Sequence, residues 1–540
     1  MKISIKHIIV PLFTGCITLC TSCSDFLTEE SSTALSEKKI YSNLQYAELN
    51  LESIYTQWRN NCFKDEHVWM FLIATDEIQS GAYQALKSGA QRAAMETFDA
   101  NLNSQHERIT NEWNNRWPCV TSAAKIIHAL NNNGLQINKE QAKIYGEASF
   151  LRGCVDYQLA MYWGRIPTID MGKTEQLGYG RQSLKDTWQF IINDFQEAAK
   201  YCPETQKPGR ATRWAALTML GKALMSAPEE TGLRDFAKAQ ECFDEIIKSG
   251  KFRLNEDFAD LWDYNKQNTP ESIFEFQFKN ASPDNNQIQF QIGSRAAQSK
   301  FTDACYFAGY DHAVPTKYAY STKADGGVWE DGDLRMAESI RTDFTWFNGE
   351  TPTLQGLEWE GLGNDYDELL PHIRKYEDFR TDSHSGLGVN NMWHSGKNIP
   401  WLRYADVLLL NAECLNELGR TTEAINLINS TIRTRAWGGS LPADKQWTAM
   451  SKEEFRTQIM DERMRELFGE QWRRIDLVRT GNFEKLVKLR NEWSKRFATI
   501  HSYNTVLPIP LTEIQQNPDM KEADQNEGYK LNSKVRSSLK

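Results

Sequence analysis

The residues best placed to do chemistry are aromatic. Between about residues 255 and 400, Gly, Asn, Asp and rings become frequent and helical periodicity fades. A long irregular stretch inside a large protein is usually functional. Trp346, Trp359, Tyr306, Tyr310 and Trp329 lie in it, and Tyr83 lies in an earlier loop. An exposed indole or phenol covers the apolar C–H face of a sugar ring, while polar side chains bond the hydroxyl rim. Asn285, Asn286 and Asp311 supply such polar groups. Taken singly, each ring is better explained as core; as a set, at least two are expected to face solvent. Trp393 and Trp401 lie beside the returning helical sequence and are assigned to the core.

Bond-breaking chemistry leaves no comparable footprint. The chain has no HExxH, GxSxG, P-loop or GxGxxG pattern. Glycoside hydrolysis needs two carboxyls about 5–10 Å apart, and Asp and Glu are plentiful, yet no constellation identifies such a pair. No cofactor or metal site is expected. A calcium ion in the Asp/Asn-rich loops is conceivable on composition, without EF-hand spacing to support it. Cys62, Cys119, Cys154, Cys202, Cys242, Cys305 and Cys414 are odd in number and hold no CxxC pair. They read as small buried hydrophobes. A net charge of −10 argues against nucleic acid as a partner.

Helices must position these rings. Trp401 to Ala436 carries Tyr404, Leu408, Ala412 and Leu415 on one helical stripe, a stop at Gly419, then a second helix through Ala424, Ile425, Ile428 and Ile432. Ala412 and Ala424 are twelve apart, as in a tetratricopeptide-type helix pair. Similar patterns predict helices near 139–163, 183–200, 211–226 and 235–250, with Ala223 and Ala239 at one crossing. Trp113 and Trp117 share a helix face and read as core. Residues 79–105 read as a loop, 272–278 as a short strand, and 507–529, rich in proline, as an extended strap. In 459–483, Arg463, Glu466, Glu470 and Arg473 stand at i,i+3 and i,i+4 spacings and predict a solvated or ion-paired face.

The amino terminus is a secretion signal. Lys2 and Lys6 precede a short apolar run, too short to span a membrane. Leu19-Cys20-Thr21-Ser22-Cys23 places small residues before a cysteine, as in a bacterial lipobox. Cys23 is therefore expected to become the acylated first residue, anchoring an otherwise soluble chain.

Several stretches resemble signatures of the SusD/RagB family of Bacteroidetes outer-membrane glycan-binding lipoproteins: RYADVLLLNAECLNELG, GEASFLRGCVDYQLAMYWGRIPTI, IMDERMRELFGEQWRRIDLVRTGNF and LPIPLTEIQQNPDMKEADQNEGY. The resemblance covers most of the chain, in order, and is weakest in the central insertion. It implies a mainly α fold, a tetratricopeptide-like scaffold with a loop-rich ligand-binding lobe. Residues 1–22 would be the leader. Residues 23–540 would form one unit, with scaffold mainly at 40–75, 107–254 and 401–500 and the lobe at about 255–400. It further implies capture of a glycan without bond cleavage. Delivery would be to a SusC-like TonB-dependent transporter in the outer membrane, from a lipid anchor facing the cell exterior. A RagB-like peptide-binding role is the alternative.

Overall fold

The computed structural model describes residues 43–529, apart from 65–66, 132–137, 172–177, 301–304, 343–344, 349–350, 355–369, 384, 388 and 390. The expected leader, Cys23 and Trp359 lie outside the described residues. The first long helix, α1 (Leu44–Phe63), starts where the Asn43 side chain accepts the Gln45 and Tyr46 N–H groups, and buries Ala47, Leu51, Ile54 and Trp58. Then follow α2 (Glu107–Asn131), α3 (Lys139–Trp163), α4 (Leu184–Tyr201), α5 (Arg213–Ser226) and α6 (Phe236–Lys248), each packed on the next. After the lobe come α7 (Tyr404–Glu417), α8 (Thr421–Ile428) and α9 (Lys452–Leu467), with α7 packed on α6. The fold is mainly helical, built from tetratricopeptide-like pairs.

The small residues that admit close crossings are partly glycines. A Cβ on Gly153 would lie 2.9 Å from the Phe195 ring, and one on Gly221 would lie 2.5 Å from Phe243. The crossing expected to centre on Ala223 and Ala239 thus turns on Gly221, although both alanines are buried. Helix α3 is not amphipathic as expected: every residue from Ile144 to Trp163 is buried. It lies between α2 and α4, and the C-terminal strap covers its end. Leu507 N–H donates to the Tyr162 carbonyl at 2.7 Å, and Trp163 Nε1 to the Pro508 carbonyl at 3.2 Å. The strap is extended only to Pro510; a short helix, Leu511–Gln516, follows. Residues 79–105 are likewise not all loop, since they hold helices Ala82–Leu86 and Ala90–Thr97. All seven described cysteines are buried and free.

The lobe is closed at its base by two strands, Ser272–Phe276 and Ile399–Arg403, paired antiparallel with Phe276 opposite Ile399. Trp401 is core, as expected: with Phe274 and Phe276 it packs around Trp58 at ring distances of 4.8–5.6 Å.

The charged residues of α9 and the turn after it are ion-paired, one of the two expected outcomes, but the pairs lie inside the protein and join distant segments. Glu462 and Glu466 are fully buried. Arg403 bonds Glu271 at 2.6 Å, Glu466 at 3.0 Å and Glu470 at 2.8 Å. Arg335, from the lobe, bonds Asp333, Glu462 and Glu466. Arg433 and Arg435 reach Glu330, Glu462, Glu271 and Glu466, Arg465 reaches Glu462 and Glu330, and Lys375 reaches Glu470. Six cations thus meet six carboxylates. Arg433 sits in a π-turn, Asn429–Arg433, continuing α8. Arg463 belongs to a second group with Asp406 and Asp476, joined by Lys222, Arg479 and Glu413. Arg473 pairs with Asp76.

Removing one partner from a buried cluster leaves uncompensated charge. Glu466→Gln is expected to cost about 3–5 kcal/mol. Arg420→Ala, which breaks the exposed and solvent-screened Arg420–Glu423 pair, should leave the unfolding midpoint close to that of the parent. Chemical denaturation of both variants checks this, and equal midpoints would contradict it. The cluster also sets an acid response. Burial alone would raise the Glu330 carboxyl, but the Arg433 hydrogen bond and the charges of Arg465 and Arg433 overcome it, holding it at about 2 against an ordinary 4.5. A depressed carboxylate contributes stability above its unfolded value and loses it as pH falls through the folded one. Glu330→Gln should therefore be less stable at pH 7 and show a flatter stability curve between pH 4.5 and about 2. Parallel curves for variant and parent would exclude this role.

Candidate ligand-binding site

Three lobe segments converge on a short helix, Ile288–Ile292. Asn286 exchanges backbone hydrogen bonds with Ser395, Tyr310 N–H donates to the Phe290 carbonyl, and the Gln289 amide donates to Thr381 Oγ1 at 2.8 Å. These ties bring the rings of 305–312, 376–382 and 391–397 together. Trp393 lies on Phe290 with ring centres 3.6 Å apart, and Tyr310 meets both edge-on at 4.6 and 5.3 Å. Phe379 lies over Tyr306 at 4.2 Å, and Met392 packs against the Tyr306 cluster. Phe379 is 38% exposed, and Tyr310 and Trp393 are half-buried. The result is an open aromatic patch on a packed base.

The N-terminal part of the scaffold braces the patch. Ile78–Gln79 pairs antiparallel with Val314–Pro315. Gly81 N–H donates to the Asp311 carbonyl at 3.0 Å, and the Gln84 amide to the Tyr310 carbonyl at 2.9 Å. Only glycine fits at 81, because a Cβ there would lie 2.6 Å from Asp311 Cβ. Asp311 itself has φ +53, a left-handed conformation held by its carboxylate, which accepts Arg295 N–H at 2.9 Å and pairs with His372 Nε2 at 2.7 Å. Tyr83 brings a half-buried ring with the Arg295 guanidinium 3.8 Å over it. Beneath Tyr310 lies His312, its ring parallel at 5.5 Å. Burial, with the nearby Arg92 and Arg108 charges, holds that imidazole well below its usual range, so it is neutral. To one side the Arg380 guanidinium lies over the Tyr264 ring at 4.1 Å.

The structure brings Tyr83 and Tyr310 to this surface and sends other expected residues inside. Tyr306 is 2% exposed and forms the base under Phe379. Trp329 is fully buried and donates to the Ala319 carbonyl. Asn285, Asn286 and Asp311 are buried, not at the surface. Asn285 and Asn286 donate to the Trp393 and Lys397 carbonyls, so they position the ring-bearing loop. Trp346 lies in strand Thr345–Asn348; its side chain, like all of Trp359, is outside the described residues. Trp393, assigned to the core by its nearness to α7, is instead a patch ring. Phe379 was missed, although a ring set in the charged sequence EDFRTD is a surface signal. Among the described residues, no cluster of three or more His, Cys, Asp or Glu side chains suits a metal ion.

Helix pairs beneath a braced, loop-rich lobe with an aromatic patch define a class of binding scaffold. Residues 250–529 match the SusD family, and residues 25–224 match a family described as starch-binding, associating with outer membrane. The chain belongs to the SusD family. It is 26% identical to SusD-like protein P25 of Formosa agariphila, over 97% of this chain and all of that one. A SusD superfamily protein from Bacteroides vulgatus has the same fold, with a TM-score of 0.71 at 22% identity over 91% of this chain and 100% of that one. So does surface glycan-binding protein A from Bacteroides thetaiotaomicron, solved in complex with laminarihexaose, with a TM-score of 0.68 at 18% identity over 89% and 99%.

If Gly81 is the brace described, Gly81→Ala should destabilise the protein by about 1–3 kcal/mol, the cost of overpacking a filled site. Thermal unfolding reads this directly, and an unchanged midpoint would show that the contact yields freely.

Proposed function

We propose that this protein captures a glycan at the outer-membrane surface, on the patch of Tyr310, Trp393, Phe379 and Tyr83, without cleaving it. The observation that carries the reading is the open aromatic patch. Its half-covered rings offer flat apolar faces to sugar C–H groups, and they are already fixed in place, so little order is lost on binding. Arg295 and Arg380 stand beside it with donors for hydroxyls. Trp346 and Trp359, from the adjoining sequence, are proposed to extend it. An open platform of this kind favours glycan over peptide, for which a deep enclosed cavity would be the better fit. The starch-binding, outer-membrane description of one matching family and the laminarihexaose complex of a structural neighbour support the same class of ligand.

The engagement of the nearby carboxylates supports the reading of binding without hydrolysis. Asp311 is engaged by His372 and the Arg295 N–H, Glu377 by Arg341, and Asp378 by Arg380 and Ser395. In this reading Cys23 carries the lipid anchor, and the helical scaffold docks on a SusC-like TonB-dependent transporter that takes up the captured glycan. Among the described residues, no helix is long and apolar enough to cross a membrane.

Affinity electrophoresis against a panel of polysaccharides tests the reading. One glycan class should retard the protein, and Trp393→Ala and Phe379→Ala should each weaken that binding by about 1–2 kcal/mol, roughly tenfold. Folded variants retarded as strongly as the parent would remove the patch from the account. Release of reducing sugar would overturn the non-catalytic reading.

A further inference from the structure

Away from the patch, and sharing no residue with it, a cavity opens between the turn at 98–105 and residues 499–504. Its volume is about 510 Å³, within the ordinary range for a small-molecule site. Phe98, Leu102 and Tyr529 form buried walls. Gly528 runs under Tyr503: its φ is +83, and a Cβ there would lie 2.3 Å from the ring. The backbone thus clamps Tyr503, and the exposed His501 ring stacks on it at 5.2 Å and 23°.

The polar groups of the cavity divide into two sets. The Asp99 carboxylate accepts the Thr97 hydroxyl and the Asn101 backbone and amide N–H groups. The Asn103 and Asn504 amides are likewise engaged, in the local turns and with the Tyr529 hydroxyl. Tyr503 and Gln105 also line the cavity, and among the described residues neither the Tyr503 hydroxyl nor the Gln105 side-chain amide has a hydrogen-bond partner. An uncommitted hydroxyl, an uncommitted amide and an exposed flat ring match an uncharged, hydroxyl-rich ring compound. The one carboxylate on the wall is already satisfied, so nothing here selects a cation.

The chain also links this cavity to the patch. Trp493 Nε1 donates to the Ser80 carbonyl at 2.7 Å, beside the Gly81 brace. The Arg496 guanidinium lies by both Trp493 and Phe497, and Phe497 is 40% exposed. Two residues further on, Thr499 enters the cavity wall.

We propose that this cavity is a second carbohydrate subsite, seating an uncharged sugar unit against His501, with the Tyr503 hydroxyl and Gln105 amide on its hydroxyls. It adds a site to the reading above and rests on that reading only for the ligand class. A polysaccharide held at both sites gains avidity that a short oligosaccharide at one site does not.

The test uses the polysaccharide that binds the parent best and a short oligosaccharide of the same glycan, titrated calorimetrically. His501 and Gln105 are exposed, so the double variant His501→Ala/Gln105→Ala should fold. It is expected to weaken polysaccharide binding by about tenfold, while oligosaccharide binding at the patch persists. Trp393→Ala should retain weak polysaccharide binding that disappears when the two cavity substitutions are added. If the double variant binds polysaccharide as tightly as the parent and Trp393→Ala abolishes binding alone, the second subsite is wrong and the patch stands. If no glycan binds the parent, both readings fall.

Discussion

The rest of the structure depends on the pairing of buried charge around helix α9. Taking an arginine or a carboxylate out of water costs several kcal/mol, and only near-complete pairing offsets it. Here six cations and six carboxylates come from segments spread between Glu271 and Glu470, and apart from the local Arg335–Asp333 and Arg465–Glu462 pairs they meet only when distant segments are in place. Arg335 and Lys375 belong to the lobe, Arg403 to the strand at its base, and Arg433 and Arg435 to the turn after α8. Apolar contacts would tolerate sliding of the lobe on the scaffold; this cluster does not.

That constraint reaches the patch through short connections. Lys375 and Tyr376 hold the chain on the far side of Glu470 and Gly469. Three residues later the chain presents Phe379. Arg403 fixes the strand that begins at Ile399, and the Trp393 loop leads directly into it. On the other side, Asp76 is tied to Arg473 and Arg490, and the Asp76–Gly81 segment then forms the strand and the glycine contact that hold Asp311. The rings are therefore carried by loops whose ends are pinned at charged anchors, which is how irregular chain can present a rigid surface.

Much of the scaffold was legible because helix pairing leaves a periodic trace. Leu408, Ala412, Ala424 and Ile428 are buried as their spacing requires. What failed were inferences that depend on distant chain. Arg463 and Glu466 sit at spacings that predict ion pairing with near neighbours, yet Glu466 is satisfied by Arg335, 131 positions away, and Arg463 by Asp406, 57 away. Helix α3 was read as one-sided because its sequence does not reveal that neighbours and strap enclose it. At the site, the lobe, its surface ring Tyr310 and the neighbouring Tyr83 of the earlier segment were readable from composition. Which rings lie above and which below was not. Tyr306 and Phe379 differ in exposure because one packs beneath the other, and the two meet across 73 positions of chain.

On our proposal, the charge-braced lobe presents its aromatic patch to a glycan. Hydrogen–deuterium exchange with and without the best-retarding oligosaccharide tests it most directly. Added protection is expected at 82–86, 309–312, 378–381 and 391–395, with exchange in α2 to α6 unchanged. Protection confined to the helical scaffold, with those four segments unaffected, would contradict it.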